Sequence, residues 1–267
     1  MYNNQISDKD FSQIRTLLYN KTGITLSDAK KTLVAGRLSA RLRHYQLANY
    51  TDYFNLLQNK NHSAELQIAL DLLTTNETYF FRENTHFELL KTLIEDNKSN
   101  STFRVWSAAC SSGQEAYSIA MLLAEYRPNK NWEIVATDIS TRVLEVAKQG
   151  LYPLPQAEKI PLEYLKQYCL KGVGDQDGKF LIEKKLRERI QYLHTNLNGK
   201  IPDIGEFDVI FLRNVMIYFD MDVKEKLIKK LEKNTKSGGY LLIGHSESLN
   251  GMNTKYKIIA PSVYRKE

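Results

Sequence analysis

The apolar positions of this chain change their period near residue 100. Before that point they recur at helical spacing. Phe11, Ile14, Leu17 and Leu18 form one stripe, and Gly23 is placed to close that helix. Ser27 or Asp28 caps a second helix, Ala29 to Tyr45, whose inner face reads Leu33, Val34, Leu38 and Leu42. Tyr50, Tyr53, Phe54, Leu56 and Leu57 predict a third helix, and Leu66, Ile68, Leu70, Leu72 and Leu73 a fourth. No strand pattern interrupts this run, so residues 1–73 read as an all-α domain. Residues 74–82 break the periodicity with small polar residues, three aromatics and an arginine. They read as an interdomain linker pinned by its aromatics, placed to fold over a ligand pocket. Glu83 to Asn97 then predicts a further amphipathic helix through Phe87, Leu90, Leu93 and Ile94.

From residue 103 onward, short apolar runs alternate with helical patterns. Phe103 to Ser107 is a buried strand, followed by small residues and a helix starting near Gly113 with Ala116, Ile119, Ala120 and Leu123 inward. Trp132 to Thr137 is a second strand, and Ser140 caps a helix through Val143, Leu144 and Ala147. Tyr152 to Ile160 holds two prolines and reads as irregular, and Leu162 to Leu170 as a short helix. A glycine-rich turn, Gly172 to Gly178, with candidate strands Phe180 to Ile182 and Ile190 to Leu193, predicts a small inserted hairpin. Phe207 to Leu212 is the clearest buried strand, and Asp222 to Lys236 a helix. Ser237-Gly-Gly turns into a strand from Tyr240 to Gly244, and Tyr256 to Ile259 with Val263 to Arg265 finish as an edge hairpin. This alternation predicts an α/β domain whose parallel sheet carries helices on both faces.

Strand, small-residue turn and helix together let a ligand approach bare backbone at a helix N-terminus. The turn Ala108 to Gly113 has a single glycine, so it is neither the G-x-G-x-x-G pyrophosphate cradle nor a P-loop. Asp138 ends the second strand, where such folds bind ribose hydroxyls. Glu115 lies in the first turn of the helix, where it either stabilises the helix dipole or faces a ligand ammonium group. A ligand with a ribose and an amino acid but no phosphate fits both acids, and S-adenosylmethionine meets that description. The basic residues Lys30, Lys31, Arg37, Arg41 and Arg43 of the second helix are either a solvated face or a docking face for an acidic partner.

Composition narrows the rest. The 267 residues suffice for one large domain or two smaller ones, and no apolar run is long enough to span a bilayer. Met1 to Gln5 begins no signal pattern, and two cysteines, Cys110 and Cys169, make neither a disulfide framework nor a metal cluster. A cytoplasmic protein without a bound metal is expected. The net charge of +6 admits nucleic acid or an acidic protein surface as partner.

Five blocks carry a resemblance: Thr74-Thr-Asn-Glu-Thr-Tyr-Phe-Phe-Arg82, Trp106-Ser-Ala-Ala-Cys-Ser-Ser-Gly-Gln-Glu115, Ala136-Thr-Asp-Ile-Ser140, Leu212-Arg-Asn-Val-Met-Ile-Tyr-Phe219 and Gly244-His-Ser-Glu-Ser248. In this order they resemble the chemotaxis receptor glutamate methyltransferases, the CheR family. The resemblance implies an all-α N-terminal receptor-docking domain (1–73), the linker (74–82) and a class I S-adenosylmethionine-dependent methyltransferase domain with a Rossmann-like sheet (83–267). It also implies a β-subdomain inserted at about 170–193. The implied reaction is methyl transfer from S-adenosylmethionine to receptor glutamates, giving methyl esters and S-adenosylhomocysteine. Carried over by position, Asn76, Thr78, Arg82, Glu115, Asp138, Asn196, Leu197, Arg213 and Asn214 would contact the cofactor. Arg82 and Tyr218 would lie nearest the methyl group. Arg37, Arg41 and Arg43 would face receptor helices, and Gly172, Gly174 and Gly178 resemble the loop that holds a receptor's C-terminal tether in some members. A monomer that neither binds nucleic acid nor inserts into a membrane is expected. The alternatives are a non-catalytic cofactor-binding regulator and a nucleic-acid methyltransferase. Against the second, the place of an Asn/Asp-Pro-Pro-aromatic block is taken by Arg213-Asn-Val-Met-Ile-Tyr218, which has no proline.

Overall fold

The computed structural model describes residues 5–267. Its backbone packing divides the chain into two compact units: the segment ending at Thr75 together with Tyr218–Lys224, and Asn76–Ile217 together with Glu225–Glu267.

The first unit is helical. Helix α1 (Asp8–Thr22) begins where the Ser7 hydroxyl accepts the Asp10 amide, and ends at Gly23, whose φ of 78° lets its N–H reach back to the Tyr19 carbonyl. Helices α2 (Lys31–His44), α3 (Tyr50–Gln58) and α4 (Ser63–Leu73) follow. Their core gathers Phe11, Ile14, Leu18, Val34, Leu38, Leu42, Tyr53, Leu57, Leu70 and Leu73. One expected core position is corrected: Leu33 is 39% exposed, because it lies one residue off the stripe that its neighbours bury. Residues 218–224, expected in the sheet domain, group here. Phe219 makes an isolated antiparallel bridge with Ile24, the Tyr218 carbonyl accepts the Thr25 amide at 2.8 Å, and the Tyr19 hydroxyl donates to Asp220 at 2.6 Å.

Glu65 is buried within this helical core. Arg41 Nε donates to it at 2.9 Å and the Tyr53 hydroxyl at 2.6 Å. Burial disfavours the charged form, but these hydrogen bonds and the guanidinium outweigh it and leave the Glu65 carboxyl below its ordinary range. Arg37 donates to the carbonyls of Leu73 and Thr74, both at 3.1 Å, and so satisfies the end of α4.

The second unit opens with α5 (Thr85–Asp96) and alternates strand with helix: β1 (Phe103–Ala108), α6 (Gln114–Tyr126), β2 (Trp132–Asp138) and α7 (Thr141–Gln149). After β3 (Leu151–Pro153), α8 (Leu162–Tyr168), β4 (Cys169–Lys171), β5 (Lys179–Ile182) and α9 (Lys184–Arg187), the chain continues through β6 (Ile190–His194), β7 (Phe207–Leu212), α10 (Met221–Asn234), whose first turn groups with the helical unit, and β8 (Thr235–Ile243) to β9 (Tyr256–Ala260) and β10 (Val263–Lys266). The main sheet has the order β6-β2-β1-β7-β8-β10-β9. Strands β6 to β8 are parallel, and β10 and β9 add antiparallel at one edge. The strand order reverses between β1 and β7, and open α/β sheets bind ligands outside the carboxyl ends of the strands at such a switch point.

The expected inserted hairpin is not formed. Strand β5 pairs with β3 and β4 in a separate antiparallel sheet of order β3-β5-β4, while Ile190–His194 joins the main sheet parallel to β2. The inserted element therefore spans 151–182. Three-residue strands are too short to show a period of two, and Pro153 argued against one. The linker aromatics Phe80 and Phe81 are buried in this unit's core, and Phe81 stacks on Tyr164 with ring centroids 5.6 Å apart.

Removing Arg41 strands a buried carboxylate. Arg41→Ala is expected to lower unfolding free energy in urea by about 3 kcal/mol. Arg43→Ala, at an exposed position, should stay within about 0.5 kcal/mol.

Candidate active site

The turn after β1 is held in uncommon backbone geometry. Ala109 and Ser111 have φ of 66° and 50°, each costing on the order of 1 kcal/mol, and Gly113 has φ 94°. A Cβ on Gly113 would lie 2.8 Å from the Ala147 Cβ, so this position excludes a side chain. Specific bonds hold the turn. The Cys110 amide donates to the Thr137 carbonyl at 2.9 Å, and the Ser111 amide to Asp138 Oδ2 at 2.8 Å. Asp138 Oδ1 accepts the Ser140 amide at 2.9 Å. Asp138 is thereby fixed at the end of β2, directly beside the turn. The Ser111 hydroxyl donates to the Asn76 carbonyl at 3.0 Å, which places the linker over the same turn.

Glu115, in the first turn of α6, accepts the Ser107 hydroxyl at 2.7 Å and Arg213 Nη1 at 3.2 Å. Burial pushes its carboxyl above the ordinary range, against the pull of Arg213 and Ser107. Arg213, at the end of β7, also donates to Glu83 Oε2 through Nη2 (3.1 Å) and Nε (3.3 Å), and to the Arg82 carbonyl. The Asn214 side-chain amide donates to Glu83 Oε1 at 3.2 Å. For Glu83, burial opposes ionisation, but the Arg213 charge and the Asn214 and His245 hydrogen bonds win, and its carboxyl lies below the ordinary range. Two carboxylates thus share the Arg213 guanidinium, and Glu115, whose ionisation burial still opposes, would gain from an arriving ammonium group.

The structure brings Asn76, Glu115, Asp138, Arg213 and Asn214 around the carboxyl ends of β1, β2 and β7. Asn196 and Leu197 follow β6 in a turn tied to Asp138, whose carbonyl accepts the Thr195 amide at 2.9 Å. Lys230 clamps that turn by donating to the carbonyls of Leu197, Asn198 and Gly199. Thr78 is half-buried in the linker. Arg82 sits between Phe81 and Glu83, both with positive φ, and donates to the Glu77 carbonyl at 2.8 Å. Tyr218 groups with the helical unit, as do Arg37, Arg41 and Arg43. Of these three arginines, Arg37 and Arg41 are engaged inside that unit and Arg43 is exposed. Sequence reasoning missed Glu83, Ser107 and Lys230 as supports of the site. Glu83 lies one residue beyond the recognisable run that ends at Arg82, Ser107 is marked only by its bond to Glu115, and Lys230 acts through contacts distant in sequence.

The sequence reading expected no metal. Ligand atoms of Glu83, His86 and His245 nonetheless lie within 4.8 Å of one another. Arg213 donates twice to the same Glu83 oxygen, so a cation placed there would compete with the guanidinium. His86 is 1% exposed and neither ring nitrogen has a hydrogen-bond partner. Burial, helped by the Arg213 charge, pushes its pKa down to about 4.

Two outcomes follow from these charges. Glu115→Gln should weaken binding of the cofactor product by about 10- to 100-fold in calorimetry, the loss of one charge-assisted contact. His86 is neutral when folded but titrates normally when unfolded, so the folded pKa lies below the unfolded one. Its contribution is complete above about pH 6.5 and is lost as pH falls toward 4. Between pH 7 and 5, His86→Asn should therefore lose less stability than the parent, by up to about 2 kcal/mol in urea midpoints.

Residues 76–265 match the family described as CheR methyltransferase, SAM binding domain, and residues 9–74 match CheR methyltransferase, all-alpha domain. A chemotaxis protein methyltransferase of Borreliella burgdorferi is 40% identical over 276 residues, covering 99% of this chain and 96% of that protein. That of Escherichia coli strain K12 is 37% identical over 263 residues, covering 97% and 91%. Chemotaxis protein methyltransferase 2 of Pseudomonas aeruginosa is 39% identical over 260 residues, covering 96% and 92%. Among the described residues no helix is long and apolar enough to cross a membrane. The chain belongs to the CheR methyltransferase family: an all-α domain joined to a class I methyltransferase domain that uses S-adenosylmethionine, acting in chemotaxis.

Proposed function

We propose that the methyl acceptors are glutamate side chains on the cytoplasmic helices of chemoreceptors, and that the chain is a protein-glutamate O-methyltransferase of chemotactic adaptation. The observation that carries this reading is the anchored cation Arg82. Its guanidinium is held by the Glu77 carbonyl and lies over the Tyr79 ring, and its own carbonyl is tied to Arg213. It is thus fixed to the same network that surrounds the cofactor site. The relatives' name, chemotaxis protein methyltransferase, supports a protein acceptor.

The residues fit the cofactor. A buried carboxylate whose pKa is raised by burial is stabilised by an incoming ammonium, and Asp138 stands at the ribose position beside a turn without bulky side chains. The bound cofactor supplies a methyl group made electrophilic by its sulfonium. A glutamate acceptor is already ionised near neutral pH, so no strong base is needed. The chain's task is to align the acceptor oxygen and exclude water, which makes positioning the main contribution. Arg82 orients the acceptor carboxylate by charge-assisted hydrogen bonds. Tyr218 is assigned a lesser part in turnover. Exposed Arg43 on α2 is suited to an acidic receptor face, while Arg37 and Arg41 hold that helix in shape. Strand β4 is an edge of the three-stranded sheet and is followed by exposed Val173, which supports strand addition by a receptor's C-terminal tether.

Incubation with methyl-labelled cofactor and receptor cytoplasmic fragments should give label on the receptor that base releases, as an ester does. Arg82→Ala should lower turnover about 100-fold, and Tyr218→Phe less than about tenfold. Base-stable label, or none on the receptor fragments, would contradict the reading.

A further inference from the structure

The block Gly244-His-Ser-Glu-Ser248 contributes no residue to the cofactor contacts assigned above, yet its glutamate has an unusual environment. Strands β7 and β8 are parallel neighbours, with Leu212 beside Ile243, so the loops leaving them run side by side. The Glu247 side chain lies between these loops. Its Oε2 accepts the amides of Gly244 (2.6 Å) and Asn214 (2.9 Å). Its Oε1 accepts those of Val215 (3.0 Å) and Ile217 (3.3 Å). Four backbone donors from two loops converge on one carboxylate.

Each loop is shaped for this convergence. Asn214 has φ 56°, a left-handed conformation that needs outside support in a residue with a side chain. A Cβ on Gly244 would meet the Asn214 Nδ2 at 2.5 Å, Glu247 Oε2 at 2.8 Å and the Asn214 amide nitrogen at 2.9 Å. The absence of a side chain there is what lets the loops approach. Glu83 completes the hold from the other side, accepting the Asn214 side chain at 3.2 Å and the His245 amide at 3.3 Å. Backbone and side chain of Asn214 are therefore gripped by different carboxylates. Arg213, the preceding residue, points its guanidinium at Glu115 from this fixed arm.

We propose that Glu247 is a positioning residue for the methyltransferase site: it fixes the Arg213–Asn214 arm by binding its backbone amides, and so sets affinity for the cofactor without touching it. This depends on the cofactor site and not on which side chain is methylated, so it survives a failed receptor assay.

The test is calorimetric binding of S-adenosylhomocysteine to the full chain, with melting temperature measured in parallel. Glu247→Gln keeps the size but turns one oxygen into a donor facing donors. It should weaken binding at least tenfold while the protein remains folded. Glu247→Ala and Gly244→Ala should act in the same direction. Val263→Ala, a truncation in β10, should lower the melting temperature and leave affinity within twofold. Folded Glu247→Gln protein that binds within twofold of the parent overturns the proposal. So does a loss in Val263→Ala as large as that in the Glu247 variants, since affinity would then follow general stability. If the Glu247 variants do not fold, hydrogen exchange in the parent decides. Slow exchange of the Asn214 and Val215 amides supports the carboxylate clasp, and exchange at the rate of an unstructured peptide refutes it.

Discussion

One buried guanidinium, that of Arg213, holds the catalytic unit's chemistry in place. It spans Glu83 and Glu115 and carries the carbonyl of Arg82 on the same face. Burying two carboxylates near each other would ordinarily drive one of them neutral. Arg213 prevents that for Glu83, but it offsets burial only partly for Glu115. That imbalance underlies the proposal that Glu115 faces the cofactor's ammonium group, whose arrival would relieve it.

The rest of the unit serves to hold that charge where a nucleoside can use it. The left-handed turn from Ala109 to Gly113 brings bare backbone to the start of α6, and Asp138 secures it from β2. The strand order reverses between β1 and β7, the place where open α/β sheets bind ligands. Arg213 enters from β7, Glu115 from the helix after β1, and Glu83 from the segment before α5. Three stretches distant in sequence meet at one cation, which makes the site sensitive to changes far from it along the chain.

Much of this was legible in the sequence for physical reasons. Phe103–Ala108, Trp132–Asp138 and Phe207–Leu212 are near-continuous apolar runs, as parallel strands buried on both faces must be. Glu115 and Asp138 stood out because each follows a strand and a turn that constrain its place. The inserted sheet was misread because β3 and β4 have three residues each, and because β6 pairs with a strand more than 50 residues earlier rather than with β5. Leu33 was misplaced by a single helical position. The arginines of α2 looked like one basic face. Whether each met solvent depended on Glu65 and on the end of α4, which the local pattern of α2 does not contain. Glu83 lacked a local signal for the same reason: its partners Arg213, Asn214 and His245 lie 130 or more residues away.

The central claim, that Glu115 is buried with its charge only partly compensated until the ligand cation binds, predicts proton release. S-adenosylhomocysteine binding should be measured by calorimetry at a series of pH values through the acidic range, where the ligand amine is protonated, in buffers of different ionisation heat. The account predicts net release of protons on binding by the parent protein, and its disappearance in Glu115→Gln. Binding without proton exchange, or with the same release in both proteins, would contradict it.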